Sequence, residues 1–132
     1  MKKFLAALII ALNFFAVAHA EIQTYEGRGE YFMTDETPDF AKSQAELAAQ
    51  RDVLERICVY VREETEMIDQ ELDKDEIITI AAGILYQTGV KFSMEDEADG
   101  VTVTAFVTAD IDTDELKTLL EREIENRKEE LR

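Results

Sequence analysis

The sequence predicts an α+β domain in the order β-α-α-β-β-α: a three-stranded, mainly antiparallel sheet packed by a long helix and two shorter helices. Three observations predict it. Residues 101–110, VTVTAFVTAD, are rich in β-branched side chains and set Val101, Val103, Ala105, Val107 and Ala109 on one face, the pattern of a half-buried strand. Residues 39–64 carry small or apolar side chains at three- and four-residue spacing, the helical period. Gly27 and Gly29 share one parity in residues 22–33, so a strand there presents a bare face to which a helix can lie close.

The first twenty residues, MKKFLAALIIALNFFAVAHA, read as a secretory signal. Lys2 and Lys3 form a basic start, residues 4–17 an apolar core, and Ala18-His19-Ala20 a small-x-small ending. The run is short for a membrane span, which takes about 20 apolar residues. Cleavage before Glu21 is expected, leaving residues 21–132 as a single domain with no membrane anchor. Glu21 stands where a lipoprotein would need a cysteine.

The first strand, residues 22–33, has Tyr25, Gly27, Gly29 and Tyr31 on one face. Its G-x-G lacks the third glycine and the helix start of a phosphate-binding loop, so packing explains it better. Thr37, Pro38 and Asp39 then read as helix cap, first helical residue and favourable dipole charge. The long helix follows, with alanines at 41, 45, 48 and 49 leading to Val53, Leu54, Ile57, Cys58 and Val61. Its end, ICVYV, is β-branched and also compatible with a strand; helix is assigned to about Val61. Cys58, the single cysteine, is expected as a buried small hydrophobe.

Residues 63–74 read as a polar connection. A second helix is expected over 74–87, with Ile77, Ile80, Ala81, Ile84 and Leu85 on one face and Gly89 as its stop. A short strand over 90–95, a turn at 98–100 and the strand from Val101 make a hairpin. The last helix runs from Asp112 to the end, striped by Leu116, Leu119, Leu120, Ile124 and Leu131. Such a stripe reads as core-docked, with partner binding as the sharper alternative.

DIDTDE, residues 110–115, resembles a calcium loop with Asp110, Asp112, Asp114 and Glu121 as ligands. The sixth position, which calcium loops fill with glycine, is Glu115, and a strand precedes it where a helix should. LDKDEI, residues 72–77, repeats the pattern of IDTDEL, residues 111–116. Both place an aspartate at the N-cap (Asp73, Asp112) and a glutamate at the third helical position (Glu76, Glu115). Leu72 with Ile77, and Ile111 with Leu116, fall at the staple positions. Capping explains every residue of both hexads; a cation site over residues 110–121 is the alternative function.

Loss of the leader's two lysines leaves 12 of the 14 basic residues against all 30 acids, a formal charge of −18 on residues 21–132. Such a surface repels phosphate backbones, which disfavours nucleic-acid binding. The only histidine, His19, leaves with the signal, so no Ser-His or Cys-His pair and no imidazole ligand remain. The expectation is a non-enzyme without cofactor or metal.

Gly27-Arg28-Gly29 on the first strand, Ala41, Ala45 and Ala49 on the helix, Ala82-Gly83-Ile84, and Ala109-Asp110-Ile111-Asp112 together resemble a family of small exported bacterial domains. These are the amino-terminal domain of flagellar assembly protein T and related outer-membrane lipoproteins. The resemblance implies a compact α+β envelope domain that contacts other proteins and has no catalytic residues. The functional expectation is a small, acidic, periplasmic or secreted protein that acts through a protein partner.

Overall fold

The computed structural model describes residues 21–131; the leader assigned to residues 1–20 lies outside them. In chain order the elements are β1 (Ile22–Met33), α1 (Pro38–Glu64), α2 (Glu66–Glu71), α3 (Lys74–Ala82), β2 (Tyr86–Glu97), β3 (Gly100–Asp112) and α4 (Thr113–Glu130). The sheet is antiparallel throughout, with spatial order β1-β3-β2. The most strand-like sequence therefore takes the centre, where both edges are paired. No helix among the described residues is long and apolar enough to cross a membrane.

The glycine face of β1 meets the alanine face of α1 as the spacing predicts. Ala41, Ala45 and Ala49 are fully buried, and Val53, Ile57 and Val61 continue the stripe. A Cβ on Gly29 would fall inside the backbone of Ala45 and Ala49, and one on Gly27 would sit 2.6 Å from Val53 Cγ2. The helix thus rests on the strand's backbone, the closest approach the two elements allow. Thr37 caps α1 by accepting from Phe40 N at 3.2 Å. ICVYV is helical throughout: Ile57, Cys58 and Val61 are buried while Val59 points to solvent.

Three expectations are corrected. The connection over 63–74 contains α2, a single turn-and-a-half whose Ile68 is fully buried, with Leu72 buried just beyond it. Tertiary burial of two side chains outweighs the polar character of the rest. The second helix ends at Ala82, with Gly83 at its C-cap, so Ile84 and Leu85 belong to the link into β2. The strand expected over 90–95 is longer, Tyr86–Glu97, because its partner β3 offers a ladder of matching length. Gly89 sits in that strand at a bulge, where Gln87 and Gly89 oppose consecutive residues Ala109 and Thr108.

In the helix layer α3 packs on α1, while α4 packs on α2, α3 and the end of β3. Leu116, Leu120 and Ile124 are buried, whereas Leu131 stands in solvent. α4 is thus docked for most of its length, and Leu131 leaves the predicted stripe. Thr113 ties its start to the first residue after the expected cleavage site: both its N and its Oγ1 donate to Glu21 O, at 3.0 and 3.1 Å.

Cys58 is buried, and burial pushes its thiol above the ordinary value. A thiol without thiolate character or access is inert. Folded protein is expected to react with a disulfide-exchange reagent only at the rate of unfolding, and at once in denaturant. Fast reaction in native buffer would contradict the packing.

Candidate functional site

The two matched hexads form helix starts. Asp73 accepts from Glu76 N at 2.9 Å, and Asp112 accepts from Asp114 N and Glu115 N, both at 3.1 Å. Leu72, Ile77, Ile111 and Leu116 are all buried, as staple residues should be. The reciprocal half of the capping box is replaced at Glu76, whose carboxylate pairs with Arg127 of α4. Arg127 also holds Glu123 of its own helix at 3.4 Å, so one guanidinium joins α4 to the start of α3.

The four residues of the calcium alternative go separate ways. Asp110 accepts from Thr24 Oγ1 at 2.6 Å across the β1–β3 ladder. Asp112 is committed to the cap, Asp114 lies in the first turn of α4, and Glu121 lies in the body of that helix. Among the described residues no three His, Cys, Asp or Glu side chains are grouped so as to hold a metal ion.

The Glu76 amide holds the Asp73 carboxyl below its ordinary value of 3.8. The folded state therefore releases this proton more readily than the unfolded chain, and the cap contributes fully above that ordinary value. The stability gap between wild type and Asp73→Ala is expected to stay level above pH 3.8. It should close as the pH falls through the depressed value, as measured by urea denaturation at several pH values.

The unusual part of the molecule is β2. α1 lies over β1 and β3 and meets β2 with side chains. Gln50 Nε2 donates to Gln87 Oε1 at 2.6 Å, and Gln87 Nε2 donates to Glu46 Oε1 at 3.0 Å. Lys42 Nζ stands 5.6 Å from the centre of the Phe92 ring, within cation–π range. Val90, Phe92 and Met94 pair with Val107, Ala105 and Val103 and so share the core face of the sheet. Yet they remain 36, 38 and 46% exposed, because no helix covers this third of the sheet. They form an apolar shelf beside α1.

The two edges of the sheet differ. On β1, the backbone N of Arg28 donates to Asp52 Oδ2 of α1 at 2.9 Å, and Arg56 steadies that carboxylate at 3.3 Å. The outer edge of β2 has no such side-chain partner among the described residues. An unpaired strand edge is a template for another strand, and proteins that must avoid pairing cover it or blunt it with bulges and charge. Here one bulge lies near the start of β2, and the nine residues after it run straight.

The solvent face of the sheet carries a second feature. Arg28 Cζ lies 5.7 Å from the centre of the Phe106 ring, and Lys91 is the cross-strand neighbour of Phe106. With Thr108 and the reaching Arg56 they line a shallow hollow of about 420 Å³. Arg28 is matched by Glu30 at 2.7 Å and Arg56 by Asp52, so most of the hollow's positive charge is locally neutralised.

Fold and site together define a two-layer α+β domain with one guarded and one open sheet edge. No protein-family model matches the chain, and no curated protein matches it. The hydrophobic alternation of residues 90–95 was the one sequence signal for the β2 site.

Proposed function

We propose that this is a non-catalytic interaction or assembly domain of the bacterial envelope, exported by its leader and docking a protein partner by strand addition to β2. The carrying observation is the β2 edge: twelve residues, exposed along almost the whole strand on both faces, beside an apolar shelf. Main-chain bonds along such an edge give affinity, and pockets for alternate side chains give specificity. Val90, Phe92 and Met94 offer those contacts on one face, and Lys91 with Glu95 on the other. The resemblance to envelope domains that contact other proteins points to the same class.

The test is capture from an envelope fraction with immobilised protein, comparing wild type with Phe92→Lys and Met94→Lys. Both side chains are half exposed, so the variants should keep the fold, as circular dichroism would check. Retention by wild type and loss by both variants is expected. Equal retention by all three, or no retained protein, contradicts docking through β2.

A further inference from the structure

We propose that the β2 edge is built to pair with the β2 edge of a second copy of this chain, antiparallel about a two-fold axis through Ser93. The proposal rests on the reading of β2 as the docking edge and assigns its occupant. Three observations lead to it.

The first is length. The bulge between Gln87 and Gly89 ends the straight edge on one side, and the strand stops at Glu97 on the other. Ser93 is the midpoint of Gly89 and Glu97. A two-fold axis there sets every residue of the straight segment opposite a residue of its copy, and no other register uses the whole edge. The interface is then self-complementary, as a two-fold contact must be.

The second is charge. In this register Lys91 faces Glu95 of the second copy and Glu95 faces its Lys91, so two opposite-charge pairs form on the solvent face of the joined sheet. Directly opposed unlike charges favour a register, and like charges oppose it. The third is apolar matching on the shelf face, where Phe92 meets Met94 of the copy twice. Val90 faces Asp96 at the two ends, where water remains. A one-residue slip would set the apolar shelf opposite the charged face, which excludes it. The axis stands perpendicular to the sheet, so both α1 helices lie on one side of a continuous six-stranded sheet.

The formal charge of −18 on residues 21–132 opposes association of two copies over long range, and salt screens that repulsion. Self-pairing should therefore tighten as salt rises, whereas a basic partner on the same edge would loosen.

Sedimentation equilibrium on residues 21–132, which build the whole described core, is the test, at protein concentrations on the order of 100 µM and at low and high salt. A dimer favoured by salt is expected. Lys91→Glu should weaken it roughly tenfold by setting like charges opposite each other twice, and Lys91→Glu combined with Glu95→Lys should restore it. Ser93→Cys should form an intermolecular disulfide on mild oxidation, since directly opposed Cα atoms lie about 4.5–5.5 Å apart, within disulfide reach. A chain monomeric at both salts overturns the second-copy assignment. So does a dimer indifferent to Lys91→Glu, or one crosslinked by Phe92→Cys and not by Ser93→Cys. The docking-edge reading is judged separately, by capture with the Phe92 and Met94 variants.

Discussion

Gly29→Val is expected to prevent folding, and Gly29→Ala to cost at least about 3 kcal/mol, at the upper end of overpacking penalties. The obstruction is backbone: the new Cβ would meet the main chain of Ala45 and Ala49, which no rotamer change can relieve. α1 would have to lift off β1 and open the contact that Ala41, Ala45 and Ala49 make. Gly27→Ala should cost a comparable amount, because its added Cβ would meet the Ala49 carbonyl oxygen and the Val53 backbone N as well as Val53 Cγ2 at 2.6 Å. Gly89→Ala is the control. Nothing lies near its added Cβ, so the change should be neutral or stabilising by a few tenths of a kcal/mol through the unfolded chain. Urea denaturation of the four proteins checks the ranking, and an equal cost at Gly29 and Gly89 would contradict the helix–strand contact.

Ile57→Ala should cost about 3–4 kcal/mol, while Val59→Ala should stay within about 0.5 kcal/mol. Ile57 is fully buried in the core and Val59 is exposed. The pair also decides between the two backbones that ICVYV allows. In a strand Ile57, Val59 and Val61 would share a face and be comparably sensitive; in a helix Ile57, Cys58 and Val61 share it and Val59 is free. Thermal melts suffice, since a loss of 3 kcal/mol lowers the midpoint by roughly 10–20 °C in a domain near this size.

These two sites show which parts of the fold were legible. Gly27 and Gly29 repeat with the period of a strand, and Ala41, Ala45 and Ala49 with the period of a helix. Small residues on both partners leave one close docking, so a tertiary contact could be read from two local patterns. The caps at Asp73 and Asp112 were legible for a similar reason, since each hexad assigns a role to every residue. Gly89 was misread as a helix stop because Ile84 and Leu85 extend the apolar stripe past Gly83, where the helix ends. A stripe alone does not mark its own end. The turn around Ile68 was hidden because one buried side chain among six residues leaves no periodicity.

The candidate site was legible only in part. The alternation of Val90, Phe92 and Met94 marks a strand with an apolar face. Its exposure follows from where α1 lies, over β1 and β3, and from Asp52 guarding the other edge. Both are placements of distant segments, and no local pattern in residues 86–97 carries them. The acidic run at residues 110–115 has the look of chemistry, yet the Asp110 side chain serves the ladder and the Asp112 side chain the cap.

Docking at the β2 edge is open to a direct check by amide hydrogen exchange. In dilute protein, the amides of alternate residues between Gly89 and Glu97 that point off the sheet should exchange fast, while the Arg28 amide, held by Asp52, is slowed. Raising the protein concentration, or adding a captured partner, should slow those alternate β2 amides and leave Arg28 unchanged. Fast exchange along β2 under every condition, with new protection elsewhere on the surface, would contradict docking at β2.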